Sequence, residues 1–132
     1  MSHGITGQSS MGENTSMVGA ADFRQRATLA LDRLESAIET AAEATDVDVE
    51  VTRAGNVIEV EFEDGSKLII NSHEAAGEIW LAARSGGFHF RPRADDWFDS
   101  RGNRELVSAL EAEFQAQAGV GIDLRAIVGA SL

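Results

Sequence analysis

The sequence predicts an α+β protein: a two-layer sandwich in which an N-terminal and a C-terminal helix pack on one face of a five- to six-stranded antiparallel sheet. Three observations predict it. Apolar residues recur at three- and four-residue steps over residues 21–44, alternate with polar ones from 46 to 98, and return to helical spacing over 103–118.

Residues 1–16 (MSHGITGQSSMGENTS) are small and polar and show no hydrophobic period. They read as an expression leader or a disordered tail, which leaves 17–132 as a single domain and gives His3 no role. In the first helix Phe23, Ala27, Ala30, Leu34, Ala37, Ile38 and Ala41 make the apolar stripe, with Asp32, Glu35, Glu39 and Glu43 opposite. Leu29 interrupts the polar side, and Asp22 is read as the N-cap. The segments VDVEVTR, VIEVEFE and KLIIN, joined by Ala54-Gly55-Asn56 and Asp64-Gly65, predict a three-stranded meander. EIWLAAR supplies a fourth strand, Gly86-Gly87 a break and FHFRP a fifth that ends at Pro92, with a short strand around Trp97 beyond it. Leu106, Val107, Leu110, Phe114 and Ala118 form the stripe of the second helix, capped by Asn103 and ended by Gly119. Ile122, Leu124, Ile127 and Val128 predict a tail that folds back over the groove between the helices.

Composition narrows the function. The 132 residues hold 22 acids, 11 bases and no cysteine, for a formal charge of −11. Disulfides, zinc–thiolate sites and a cysteine nucleophile are excluded. An acidic surface repels nucleic acid and anionic lipid and favours cations and basic proteins. No apolar run approaches the ~20 residues that span a bilayer, so the sequence reads as a cytoplasmic protein.

The charge is concentrated. Residues 35–64 carry ten acids (Glu35, Glu39, Glu43, Asp46, Asp48, Glu50, Glu59, Glu61, Glu63 and Asp64) against Arg53 alone, which is −9 of the −11 total. Carboxylates four apart on a helix repel by ~0.2–0.5 kcal/mol per pair, and acids at a helix C-terminus oppose its macrodipole. A sequence selected for stability alone would place bases there, so the stretch is a candidate site. Clustered carboxylates are hard ligands for Ca²⁺, Mg²⁺, Mn²⁺ or oxygen-liganded iron. On an open ridge they bind weakly and through water. The same field also steers a basic protein surface.

Strand alternation directs Ile58, Val60, Phe62, Leu68, Ile70, Ile79 and Leu81 toward the helices. Glu59, Glu61, Glu63, Ile69, Asn71, His73, Glu78, Trp80 and His89 then lie outside. A tryptophan on an open sheet face is an interface anchor or is simply part-buried by its sheet neighbours, whereas Trp97 is expected in the core or packed at a strand edge. No Gly-rich phosphate loop, His-Glu-x-x-His motif or nucleophile elbow is present, so no enzymatic activity is expected.

FEDGSKLIIN (62–71), EIWLAARSGGFHF (78–90) and DDWFDSRG (95–102) closely resemble the bacterial frataxin family, the CyaY-type proteins. The acidic first helix and the QAG end of the second helix fit as well, over residues 22–124. The resemblance implies an iron-binding regulator or iron donor in iron–sulfur cluster assembly. It implies weak binding of Fe²⁺ and Fe³⁺ by a ridge that here comprises Asp32, Glu35, Glu39, Glu43, Asp46 and Asp48, with Asp22 and Glu50 as outer members. It implies docking on the cysteine desulfurase through that ridge, and contact with the assembly complex, including the iron–sulfur scaffold protein, through Asn71 and Trp80. A monomer suffices for this. The chain departs from the family pattern in having His73-Glu74-Ala75 after the IIN segment, Glu78 before Ile79-Trp80, and Thr40, Ala41, Ala42, Ala44 and Thr45 where further acids are common. Two other readings are an iron store or ferroxidase, and a generic acidic protein-binding adaptor anchored by Trp80.

Overall fold

The computed structural model describes residues 19–132, together with the course of the helix that leads into them. The residues read as a leader fall outside this range. Helix α1 (His3–Ala44) is followed by seven strands: β1 (Val49–Ala54), β2 (Val57–Phe62), β3 (Lys67–His73), β4 (Glu78–Ala83), β5 (Gly86–Arg93), β6 (Asp96–Asp99) and β7 (Arg104–Glu105). Helices α2 (Leu106–Ala118) and α3 (Arg125–Val128) complete the chain. The strands pair in chain order as an antiparallel meander. The predicted α+β sandwich is therefore observed, with one or two strands more than the periodicity gave.

Period-two alternation fixes the sheet's inner face. Ile58 lies opposite Ile70, Val60 opposite Leu68, Ile70 opposite Leu81 and Ile79 opposite Phe90, and all of these are buried. The helices cover them with Leu31, Leu34 and Ile38 from α1 and Leu106, Val107, Leu110 and Phe114 from α2. Phe62 meets Phe114 edge-on at 5.1 Å, and Phe23 meets Trp97 at 5.8 Å. Trp97 is fully buried, as expected. Leu29 points outward from α1 and is 55% exposed. In the tail, Ile122, Leu124 and Val128 are buried but Ile127 is not. Arg33 of α1 holds the tail by donating to the carbonyls of Ser131 and Val128.

Four local expectations are corrected. Asp22 lies within α1 and caps nothing. Gly86-Gly87 opens β5 rather than breaking the sheet, pairing with Ala83 and Ala82. Pro92 lies inside β5, opposite Trp97. Asn103 does not cap α2. It sits at φ 54° in the turn that brings Arg104 and Glu105 into register with Asp99 and Phe98, and the cap falls to Glu105. Glu105 accepts from the Val107 amide (3.0 Å) and the Ser108 amide (2.9 Å) and pairs with Arg125.

Burial alone would raise the Glu105 carboxyl, but the donors from Arg125, Ser108 and Val107 outweigh it and hold the group below its ordinary range. A carboxylate depressed in this way stabilises the fold above its unfolded value of about 4.3, and the contribution is lost as pH falls through the folded value. Glu105→Ala is expected to destabilise by about 1–2 kcal/mol in denaturant titrations at neutral pH. Between about pH 5 and pH 3 the wild type is expected to lose more stability than Glu105→Gln, which has no carboxylate to protonate.

Candidate functional site: an acidic edge and an aromatic outer face

Helix α1 ends where β1 begins, so its last two turns and the sheet's free edge form one continuous surface. Glu39 and Glu43 of α1 flank a groove of about 270 Å³ whose wall is Val47, Val49 and Val51. Asp46 and Asp48 open onto a second groove of about 480 Å³, shared with Glu63 and Asp64 at the end of β2. Glu39, Glu43, Asp46, Asp48 and Glu50 are all exposed, and none of them belongs to an ion pair among the described residues. Glu63 and Asp64 extend the predicted ridge onto the β2–β3 turn. The Ser66 hydroxyl and amide, with Arg84 adding to their effect, hold the Asp64 carboxyl below its usual range.

Asp32 and Glu35 differ from the rest of the ridge. Arg53 reaches across from β1, and its Nη1 lies 3.0 Å from Asp32 Oδ1 and 3.0 Å from Glu35 Oε1. The one base in the acidic stretch thus offsets one of the two charges at the upper end of the predicted ridge, while the other four ridge acids keep their full field. Asp22 lies further up the same helix and is exposed. Among the described residues no three histidine, aspartate or glutamate side chains converge on one point. This donor set fits weak, water-rich binding of a hard cation rather than a closed cage.

The ridge also breaks a backbone rule. Asp46 ends α1 at φ 58°, the left-handed position that glycine usually takes. The Val47 amide bonds back to the Ala42 carbonyl at 3.0 Å, and the Thr45 hydroxyl bonds to the Ala41 carbonyl at 2.8 Å. A carboxylate in that conformation, at the negative end of the macrodipole, carries two local penalties.

On the outer face, Asn71 of β3 stands directly opposite Trp80 of β4. Trp80 is half-buried and stacks between His73 and His89. Glu78 was expected in solvent. It is only 9% exposed, because Trp80, His89 and Arg91 close over it. Sequence reasoning put His73, Glu78, Trp80 and His89 on this face, left Arg91 unplaced and missed the network. The signal available was that His73 and Glu78, directly opposite in register, both depart from the family pattern.

Fold and site together define a small α+β sandwich with an acidic edge and an aromatic outer face. Its sequence matches the family model for a frataxin-like domain over residues 16–120. The protein belongs to the frataxin-like family. It is 52% identical over 105 residues to the iron–sulfur cluster assembly protein CyaY of Cupriavidus metallidurans, which covers 80% of this chain and 95% of the relative. The CyaY protein of Herminiimonas arsenicoxydans is 43% identical over 106 residues, at 80% and 95% coverage. Among solved structures, the frataxin of Psychromonas ingrahamii superposes with a TM-score of 0.67 at 30% identity, covering 80% of this chain and 96% of that one. A trimeric frataxin of Saccharomyces cerevisiae, in its ferrous complex, gives 0.63 at 26% identity, covering 72% and 87%.

Asp46→Gly is expected to raise stability by about 1 kcal/mol by removing both penalties. Chemical denaturation at low and high salt checks this. A loss of stability on that substitution would show that Asp46 is not strained.

Proposed function

We propose that this protein serves iron–sulfur cluster assembly as a non-catalytic, iron-binding regulator or iron donor, docking on the cysteine desulfurase through its acidic edge. The single observation that carries the reading is the unpaired run Glu39, Glu43, Asp46, Asp48 and Glu50 where α1 meets β1. A surface kept acidic against helix repulsion, macrodipole and backbone preference serves recognition better than stability. The curated relatives named as iron–sulfur cluster assembly proteins give that recognition its setting.

The two parts of the ridge then have different tasks. Asp32 and Glu35 are held by Arg53 and give shape more than field. Glu39, Glu43, Asp46 and Asp48 present hard oxygen donors and net negative potential, which suit weakly held Fe²⁺ or Fe³⁺ and a basic docking surface. Iron on these carboxylates lowers the field that steers the partner, so cargo and docking compete for one surface. The outer face, with Asn71 and Trp80, contributes the second contact, to the scaffold protein within the assembly complex. Among the described residues no helix is long and apolar enough to cross a membrane. A monomer is enough for this arrangement.

Reversing Glu39 and Glu43 to lysine is expected to weaken desulfurase binding about tenfold or more at low salt, mostly through slower association, with thermal stability held or raised. Association kinetics across a salt series measure it, and unchanged rates would discard the ridge as the docking surface. In an anaerobic Fe²⁺ titration followed by amide NMR, broadening is expected at Glu39, Glu43, Asp46 and Asp48 before Asp32 and Glu35, because Arg53 already occupies the latter pair. Oxygen uptake above that of buffer after the titration would favour a ferroxidase instead.

A further inference from the structure

Both π faces of the outer-face tryptophan are covered. His73 of β3 stacks on Trp80 with ring centroids 4.1 Å apart and planes 14° from parallel, and His89 of β5 stacks on the other side at 4.5 Å and 11°. Glu78 closes the base. Its Oε1 accepts from Trp80 Nε1 at 2.7 Å and lies 3.5 Å from His89 Nδ1, and its Oε2 lies 3.1 Å from Arg91 Nε. The indole is thus held on three sides, on the face away from both helices, and is half-buried. Beside it a shallow groove of about 200 Å³ runs over Ala82 and Gly87. The Asn71 Oδ1 atom next to it is buried without a hydrogen-bond partner. A partner that sets an apolar side chain in the groove and a donor on Asn71 meets a tryptophan whose rotamer is already fixed, so little entropy is lost on docking.

The two imidazoles are not equivalent. The Ala76 amide is shared between the His73 carbonyl and His73 Nδ1, both at 3.2 Å, so Nδ1 acts as an acceptor in this arrangement. A proton gained by His73 has to go to that atom, where it turns an acceptor into a donor facing another donor. His89 Nδ1 faces the Glu78 carboxylate instead, at 3.5 Å. The other charged groups near the stack are Arg91, Glu74 (paired with Arg24 of α1 at 2.7 Å), and Asp99 and Arg101 across the groove beside His89. None of these offers His73 Nδ1 a substitute acceptor by any hydrogen bond in the structure. Histidine is the side chain whose charge changes between about pH 5 and pH 8.

We propose that His73 is a proton-operated latch on Trp80: neutral, it covers one face of the indole and steadies it as a ready anchor for the assembly partner, and protonated, it swings away and uncovers that face, leaving His89 and Glu78 as the remaining supports. The inference rests on the reading of the Asn71–Trp80 face as a docking surface. His73 acts through Trp80 and is a positioning residue.

The test follows the Trp80 indole Nε1–H resonance by NMR from about pH 8 to about pH 5.5 in the wild type, His73→Phe and His73→Gln. Phe keeps the stack without a proton, and Gln keeps an acceptor for the Ala76 amide while staying neutral. In the wild type the Trp80 resonance is expected to move in step with the His73 ring, and that component should vanish in both variants. Binding to a reconstituted desulfurase–scaffold complex is measured at both ends of the range. The wild-type affinity, taken relative to His73→Phe to cancel the partner's own titration, is expected to fall about threefold to tenfold on acidification, the worth of one aromatic stack. A relative affinity that stays constant, or a Trp80 resonance that titrates alike in all three proteins, overturns the latch. Trp80→Ala separates the two readings. If it weakens binding while the relative affinity stays flat, the latch alone is wrong. If it leaves binding untouched at both pH values, the docking face is wrong and the latch falls with it.

Discussion

The helices cover one face of the sheet only, and the rest of the molecule follows from that. Ile58, Val60, Leu68, Ile70, Ile79, Leu81 and Phe90 place the apolar half of every central strand against α1 and α2. Because the side-chain period is two, the same register drives the other half outward with no freedom to choose. A slip of one residue would bury Glu59 and Glu61 and expose the core, so the pattern that secures the fold also fixes what the outer face presents. Asn71 stands opposite Trp80, and Trp80 opposite His89, because Ile70 stands opposite Leu81 and Ile79 opposite Phe90.

The acidic edge has the same origin. A helix laid along the sheet and joined to β1 by a tight turn must end beside the sheet's free edge. The turn is closed by Asp46 in a left-handed conformation and by the Thr45 hydroxyl on the Ala41 carbonyl. The last acids of α1 and the first of β1 therefore share one surface although the elements differ in kind. Acids at that turn cost the helix stability, and the fold is held elsewhere: in the aromatic core around Phe62, Phe114 and Trp97, and in Glu105, which caps α2 while binding Arg125 from α3. The acids are tolerated because none of them has to be desolvated.

Arg53 and Glu78 show how single long-range contacts reshape a surface drawn by local pattern. Arg53 divides the ridge into a partly compensated upper end and an uncompensated lower part. Glu78 gathers Trp80, His89 and Arg91 into one network, and by doing so becomes nearly buried on a face that is otherwise open. A carboxylate shielded that far is stabilised by its donors rather than by water.

The sequence by itself determined the fold class, the inner face, the core position of Trp97 and the acidic stretch, because each is written in a short period or a local charge count. The FEDGSKLIIN and EIWLAARSGGFHF segments carried the family. Tertiary structure alone decided which acids keep their charge free, since Arg53 lies 18 residues from Glu35 and no periodicity links them. It alone replaced Asn103 by Glu105 as the cap, because the pairing of Arg104 and Glu105 with β6 delayed the helix start. The seventh strand was hidden for the same reason: two residues are too few to show a period. The histidine clamp on Trp80 was equally out of reach, since alternation says which face a side chain leaves from and is silent on which neighbours its ring will meet.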